Sequence, residues 1–111
     1  MERAAEGFLR NQGLAFEARN WRCALGELDL IMRDGPVRVF VEVRYRIDER
    51  RGGGIASIGA YKRRRLLRAA QAYLQRRGAL GAPCRFDVVA ITGVTPRLEF
   101  RWIRSAFDAS E

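Results

Sequence analysis

The stretch from Glu27 to Arg46, ELDLIMRDGPVRVFVEVRYR, predicts a β-hairpin at the centre of the fold. Its first arm, 27–33, alternates polar and apolar side chains, and Asp34-Gly35-Pro36 is a turn signal. The second arm, 37–43, is so apolar that we expect a central strand buried on both faces. An unpaired carboxylate in such a strand is costly, so Glu42 requires a compensating partner.

The register of this hairpin offers Asp29 as a neighbour for Glu42. With a two- or four-residue turn, paired residue numbers add to an odd value, which puts both acids on one face of the strands. Their β-carbons would lie roughly 5 to 8 Å apart. Carboxylates this close repel each other unless a cation or a proton lies between them. The alternative is that Glu42 forms an internal salt bridge with Arg44 or another arginine.

Mg²⁺ is the cation that this pair predicts. It prefers oxygen ligands, and one or two carboxylates plus a substrate phosphate commonly hold it. There it lowers the pKa of bound water and stabilises charge on a phosphodiester. Arg44 lies two residues after Glu42, so its side chain points to the same face. Glu27 shares a face with Asp29 by the same rule, either as a further ligand or as a solvent-exposed acid.

Outside the hairpin, the hydrophobic pattern predicts two helices and three more strands. The expected order is α-β-β-β-α-β-β in a single domain, 1–111. The predicted bounds are a helix over 2–12, strands over 14–20, 27–33 and 37–43, a helix over 58–77, and strands over 85–91 and 97–103. Between the third strand and the second helix, 45–56 is charged and glycine-rich and predicts a loop.

Charge points to a polyanionic partner. The formal net charge is +8 and the pI is near 10.9, which favours nucleic acid as the partner. Histidine is absent, which excludes serine–histidine hydrolases, histidine-metal nucleases and most zinc sites. Lys62 is the only lysine, and the abundance of arginine reflects either codon preference or phosphate recognition.

A basic stretch at the start of the second helix is the predicted phosphate track. It comprises Lys62, Arg63, Arg64, Arg65 and Arg68, together with the arginines that lead into the glycine-rich loop, Arg44, Arg46, Arg50 and Arg51. Most of the resulting affinity would be independent of base sequence. The alternative for each arginine is an ordinary solvated charge on the surface.

The two cysteines, and the search for export and membrane segments, indicate where in the cell the protein is expected. Cys23 and Cys84 are expected to be reduced, buried and structural, because two thiols alone do not make a zinc site. No signal peptide or transmembrane run is found in the sequence, so we expect a cytoplasmic protein that does not enter a membrane.

Taken together, these motifs resemble the YraN-like family of small bacterial proteins. That family belongs to the PD-(D/E)xK nuclease superfamily, which is restriction-endonuclease-like and includes Holliday-junction resolvases. The resemblance covers almost the whole chain. It is carried by 27–31 and 40–46, by Glu2, Ala5, Leu9 and Gly13 in the first helix, by Arg19, Asn20 and Arg22, by Lys62, Ala70, Tyr73 and Leu74 in the second helix, and by 85–89.

The resemblance implies a central mixed β-sheet flanked by helices and a metal-dependent endonuclease acting on DNA, including branched DNA, with Mg²⁺ or Mn²⁺. Asp29 matches the motif aspartate and Glu42 its acidic partner. Glu2 matches a helix acid that approaches the metal, and the alternative for Glu2 is a frayed, solvated residue. Arg44 stands where the motif usually has lysine. Arginine has too high a pKa to act as a base, so Lys62 is the candidate for the missing ammonium group.

The resemblance also implies a homodimer, because junctions are two-fold objects and an exposed edge strand can pair with its copy. Two other functions remain open. One is a nucleic-acid-binding module that keeps the fold without efficient cleavage, which Arg44 favours. The other is a protein-interaction adaptor whose basic face meets an acidic partner.

Overall fold

The computed structural model describes residues 1–47 and 58–107 of the chain. Within these ranges two helices and five strands follow one another in the order α-β-β-β-α-β-β. They are α1 (Glu2–Asn11), β1 (Ala15–Cys23), β2 (Gly26–Asp34), β3 (Val37–Arg46), α2 (Ala60–Arg76), β4 (Cys84–Val94) and β5 (Arg97–Phe107). The predicted α/β class and order of elements are confirmed.

The five strands form a mixed sheet in the order β1-β2-β3-β4-β5, so the apolar strand β3 lies in its centre as predicted. β3 and β4 are parallel, whereas the other neighbouring strands are antiparallel. α2 lies in the connection between the two parallel strands, because a parallel pair needs a long crossover. Helices and sheet therefore have the expected arrangement.

The β2–β3 hairpin has the register that the sequence predicts. Its turn is two residues long, Gly35 and Pro36, and Gly35 has a φ of 59°, which a residue without a β-carbon adopts at little cost. Asp34 pairs with Val37 and Leu30 pairs with Val41, so the paired numbers add to an odd value. This register places Asp29 and Glu42 at the next position along the hairpin.

Two hydrophobic cores cover the two faces of the sheet. Under α1, Leu9 packs with Leu30 and Val41. Under α2, a second cluster contains Phe40 and Tyr73. Because neighbouring residues of β3 contribute to opposite cores, the strand is apolar on both faces, and a buried charge within it has few places to find a partner.

α2 is amphipathic and strongly basic on its outer face. Its buried side is made of Leu66, Ala69, Ala70, Tyr73 and Leu74. In the two described stretches of chain, no helix is both long and apolar enough to cross a membrane.

Several predicted bounds were wrong, most clearly at the end of β3. We expected the strand to end at Val43, but it continues to Arg46, because its last residues pair with β4 in parallel. We expected a loop from residue 45 onward because 45–56 is charged and glycine-rich, and sheet pairing overrides that local preference. The remainder of the expected loop, 48–56, lies outside the described residues.

The predicted alternation along β2 was also wrong at one point. Leu28 packs in the α2-side core with Ile31, whereas Leu30 packs in the α1-side core. In the neighbouring strand β1, Asn20 has a φ of 54° between the residues that pair with Leu30 and Leu28. A left-handed residue interrupts the regular pleat there, so Asp29 lies at an irregular point of the sheet.

The cysteines differ from expectation in burial. Both are free thiols, as predicted, and Cys23 is half-buried. Cys84 is exposed, so the prediction that it is a buried structural residue was wrong. It is the first residue of β4, and the strand becomes buried only after it.

Candidate active site

Asp29 and Glu42 meet where β2 and β3 separate. The ladder between these strands has Leu30 and Val41 as its last pair on this side. Beyond this pair, the side chain of Asp29 bonds to β3 in place of its backbone. Its Oδ2 accepts a hydrogen bond of 3.0 Å from the backbone N–H of Val43. The two acids therefore lie together as the register predicts, in a gap that the separating strands leave between them.

Asp29 is an unusually weak acid in this environment. Burial, the charge of Glu42 and a hydrogen bond with the Glu42 carboxyl group raise the pKa of Asp29 to about 7, against the opposing effect of the Val43 N–H. Near neutral pH Asp29 therefore holds a proton readily, and a divalent cation in the same place would relieve the same repulsion.

Glu42 has cationic neighbours of its own. Its side chain is only 6% exposed, and its Oε2 lies 3.3 Å from Nζ of Lys62 and 3.5 Å from Nε of Arg44. The internal salt bridge considered as an alternative is therefore present. It is a loose one on the arginine side, because Nε of Arg44 is buried and makes no hydrogen bond within the described part of the chain. Lys62 and Arg44 thus converge on the acid pair from α2 and β3.

Glu2 approaches the pair from the start of α1. Its negative charge is one of the influences that raise the pKa of Asp29. It does not complete a three-ligand cluster: within 1–47 and 58–107, no group of three histidine, cysteine, aspartate or glutamate side chains is close enough to hold a metal ion. A metal at this site would take two protein carboxylates and fill its remaining positions with water or substrate oxygens.

Glu27 is an exposed residue of β2 that pairs with an arginine of β1. Its Oε2 is 2.9 Å from Nε of Arg22, and its side chain is 53% exposed. This position matches the solvent-exposed hairpin acid that the sequence left open as an alternative. A role for Glu27 as a metal ligand remains a prediction.

The predicted phosphate track is mostly exposed. Arg64, Arg65 and Arg68 are on the outer side of α2, whereas Arg63 is half-buried and donates to the carbonyl oxygen of Ile58 at 2.9 Å. Arg46, exposed at the end of β3, donates to the carbonyl oxygen of Tyr45. Since Lys62 stands in the first turn of α2 and contacts Glu42, the track begins at the acid pair.

Asp87 is a structural residue. It is fully buried, and its carboxylate accepts hydrogen bonds from Nε of Arg85, Nε1 of Trp102 and the backbone N–H of Ser105. The last of these lies where the β4–β5 register shifts. The carboxylate therefore satisfies a backbone donor that the irregular strand pairing leaves free.

Sequence reasoning missed a second charged cluster, formed by Glu17 of β1, Arg38 of β3 and Tyr73 of α2. Glu17 accepts hydrogen bonds from the hydroxyl of Tyr73 and, at 2.8 Å, from Nε of Arg38. Burial opposes ionisation of Glu17, but these bonds and the charges of Arg38 and Arg77 outweigh it and lower the pKa of that carboxyl group. The only sequence signal was an arginine within an apolar strand, and it does not identify a partner.

Comparison with known proteins places the chain in a family. Residues 1–91 match the model of a family described as "Uncharacterised protein family UPF0102". The chain belongs to this family. The family-level resemblance found in the sequence is therefore confirmed, and the stretch 1–91 contains the acid pair, Arg44 and Lys62.

Relatives of similar length share about half of their residues with the chain. A UPF0102 protein of Chromohalobacter salexigens is 52% identical over 109 residues, covering 98% of this chain and 88% of that protein. One from Xanthomonas campestris is 55% identical, covering 96% and 87%. One from Pseudomonas fluorescens is 50% identical, covering 97% and 89%. The UPF0102 similarity thus extends over nearly the whole length of each protein.

Proposed function

We propose that this protein is a metal-dependent endonuclease of the restriction-endonuclease-like class, which hydrolyses phosphodiester bonds in DNA. One observation carries the proposal: Asp29 and Glu42 are packed together at the point where β2 and β3 separate. Two mutually repelling carboxylates inside a sheet are costly for a purely structural purpose, and they are well suited to hold a divalent cation.

Asp29 and Glu42 are the residues that would hold Mg²⁺ or Mn²⁺. When bound, the ion supplies a water molecule of lowered pKa and neutralises charge on the phosphate. The donor set of two carboxylates fits Mg²⁺, which keeps several waters and is often bound through one or two carboxylates plus substrate phosphates. Asp29 is fixed for this task by the Val43 N–H, which holds one of its oxygens in place.

Lys62 takes the role of the motif lysine in this proposal. Its ammonium group lies 3.3 Å from Glu42, next to the position where the scissile phosphate would sit. Lysine can exchange a proton with an attacking water, whereas Arg44 stays charged and stabilises negative charge on the phosphate. The departure from the motif at Arg44 is thereby compensated from α2.

The exposed arginines of α2 supply affinity for the DNA backbone. Arg64, Arg65 and Arg68 extend the positive surface away from Lys62 along the helix. Preference for branched DNA and action as a homodimer follow from the resemblance to junction resolvases. β1 and β5 are the edge strands of the sheet and are the candidates for pairing with a second copy.

The test is a titration of Mg²⁺ and Mn²⁺ with three DNA substrates: a four-way junction, a flap and a plain duplex. We expect metal-dependent cleavage, strongest on the branched substrates, that Asp29→Ala and Glu42→Ala abolish. Glu99→Gln removes an exposed acid on β5 and is the matched control. Cleavage by purified Asp29→Ala at the wild-type rate would overturn the proposal.

A nucleic-acid-binding module is the second candidate function. It is favoured by one specific observation, the contacts of Lys62 and Arg44 with Glu42, which neutralise part of the acidic pair without a metal. Binding of all three substrates without metal-dependent cleavage would support the module. Failure to bind any nucleic acid at low salt would favour the adaptor.

A further inference from the structure

A pocket of about 350 Å³ opens beside the acid pair, between the end of the β1–β2 hairpin and the first turns of α2. We call it the hairpin pocket. Arg22, Cys23 and Gly26 line it on the strand side, and Lys62, Arg65 and Leu66 line it on the helix side. This volume is within the range of small-molecule sites and is large enough for one nucleotide.

At one side of the pocket, the backbone of the hairpin approaches the backbone of α2 closely at Gly26. A β-carbon added to this glycine would lie 3.3 Å from the carbonyl oxygen of Arg65 and 3.8 Å from its Nη2. The φ of Gly26 is 153°, which side-chain-bearing residues rarely adopt. Glycine therefore lets the strand approach the helix, and this approach brings the guanidinium group of Arg65 to the pocket.

The charges around the hairpin pocket favour an anion. Arg22, Lys62 and Arg65 are its cations, and Glu27 is the carboxylate in its lining. Glu27 pairs with Arg22 at 2.9 Å. Arg65 forms no salt bridge with any carboxylate of the described residues, and its planar fork of donors is well matched to a phosphate.

Lys62 connects the hairpin pocket with the acid pair. It lines the pocket, and its Nζ lies 3.3 Å from Oε2 of Glu42. A phosphate in the pocket and a phosphate at the acid pair would thus lie on two sides of the same ammonium group. Neighbouring phosphates of one nucleic-acid strand fit this arrangement.

Apolar groups give the pocket a second type of contact. Leu66 and Cys23 contribute to its lining. Tyr61 stands beside it, 66% exposed, with the Arg65 guanidinium 5.9 Å from its ring centroid. An exposed ring next to a phosphate-binding arginine can stack on a base.

We propose that the hairpin pocket binds one nucleotide through its phosphate, namely the nucleotide next to the bond held at Asp29 and Glu42. The identity of the ligand as part of a nucleic-acid strand rests on the proposed function. The pocket itself is defined by Arg65, Lys62 and Arg22, none of which belongs to the carboxylate pair. Its ligand binding can therefore be measured without metal and without cleavage.

The test uses thymidine monophosphate as the probe, in a chloride buffer with EDTA at low salt. Calorimetry gives its affinity for the wild-type protein, for Arg65→Gln and for Arg97→Gln, which removes one exposed positive charge at the β4–β5 turn. We expect Arg65→Gln to weaken binding about tenfold or more, the effect of one charge-assisted hydrogen bond. Arg97→Gln should leave the affinity unchanged.

Cys23 reports where the nucleotide binds. In the Cys84→Ser background it is the remaining thiol, and its reaction with a thiol reagent should slow when thymidine monophosphate is bound. Thymidine should protect it little, and inorganic phosphate less than the nucleotide. Equal weakening by Arg65→Gln and Arg97→Gln, equal binding of inorganic phosphate and nucleotide, or no binding at all would overturn the proposal.

The outcome can be separated from that of the proposed function. Asp29→Asn removes one acid of the pair and no residue that lines the hairpin pocket, so it should still bind thymidine monophosphate with wild-type affinity. If cleavage is never found but this binding is, the pocket stands and the nuclease does not. If cleavage is found and thymidine monophosphate does not bind, the nuclease proposal stands and the pocket proposal is wrong.

Discussion

The carboxylate of Asp29 accepts a hydrogen bond from the backbone N–H of Val43, with 3.0 Å between Oδ2 and the nitrogen. Val43 directly follows Glu42, so this bond ties one acid to the backbone beside the other. The two side chains are therefore held together by the hairpin, against their mutual repulsion. This arrangement brings two carboxylates together where a cation would stabilise them.

Divalent metal should stabilise the native protein through this pair. At a free Mn²⁺ or Mg²⁺ concentration about 100 times Kd, binding adds about 2.7 kcal/mol to the free energy of unfolding. Thermal unfolding with and without EDTA measures the effect at slightly alkaline pH. Asp29→Asn and Glu42→Gln should lose it and Glu99→Gln should keep it; equal stabilisation of all four proteins would contradict binding at the pair.

Stability without metal should decrease as the pH rises toward neutrality. Burial and the neighbouring Glu42 raise the pKa of Asp29 to about 7 from 3.8, so the native state binds more protons than the unfolded state between these values. The free energy of unfolding then falls with rising pH through this window, by at most about 1.4 kcal/mol per unit, and levels off above it.

Urea unfolding in EDTA at several pH values tests this slope, with Asp29→Asn as the reference. The chain contains no histidine, so no side chain with an ordinary pKa titrates between about pH 5.5 and 7.5. The stability of the wild type relative to Asp29→Asn should fall across that interval. Parallel pH profiles for the two proteins would show that Asp29 does not titrate there.

Lys62 should matter more to cleavage than Arg44. If it transfers a proton at the phosphate, Lys62→Ala lowers kcat by about 10²–10⁴-fold. Lys62→Arg keeps the charge but not the titratable group, and it should not restore the rate. Steady-state kinetics of these variants and of Arg44→Ala measure the difference. Unchanged cleavage in Lys62→Ala together with its loss in Arg44→Ala would exclude this role for Lys62.

DNA binding should depend steeply on salt, and the arginines of α2 should account for part of that slope. Removing one phosphate contact by Arg64→Gln or Arg68→Gln reduces the slope of log affinity against log salt by about 0.9 for duplex DNA. Fluorescence anisotropy over a salt series gives the slope. Arg97→Gln removes the same charge at the β4–β5 turn and should leave it as in the wild type.

Asp87 should be essential for stability. Asp87→Ala removes a fully buried carboxylate and leaves the half-buried Arg85, the indole N–H of Trp102 and the backbone N–H of Ser105 without their shared acceptor, which costs about 3–5 kcal/mol of unfolding free energy. Asp34 is the matched control, because it pairs with the same Arg85 at 2.8 Å but is itself 41% exposed. Asp34→Ala should cost at most about 1 kcal/mol. Similar losses in the two variants, measured by urea unfolding, would mean that burial of Asp87 does not set its contribution.

The central hairpin was predictable because its rules are local. Side chains alternate with a period of two along a strand, and a two-residue turn fixes which residues face each other. These rules place Asp29 beside Glu42 before any coordinates are known. The apolar composition of 37–43 likewise predicts a strand with both faces covered, and β3 lies in the middle of the sheet.

Errors arose where distant parts of the chain meet. Tyr45 and Arg46 begin the stretch predicted as a loop but belong to a strand, because β4 pairs with them. Leu28 changes faces at the irregularity beside Asn20. The hairpin pocket is a further example, since Arg22 and Arg65 are far apart in sequence and line the same space.

The order of the residues alone determined the succession of helices and strands, the central position of β3 and the proximity of Asp29 to Glu42, because periodicity and short turns act over a few residues. Folding of the whole chain decided which cations reach that pair and where a pocket opens beside it. The reason is physical: contacts such as that between Lys62 and Glu42 depend on how α2 packs on the sheet, and no local pattern encodes that geometry.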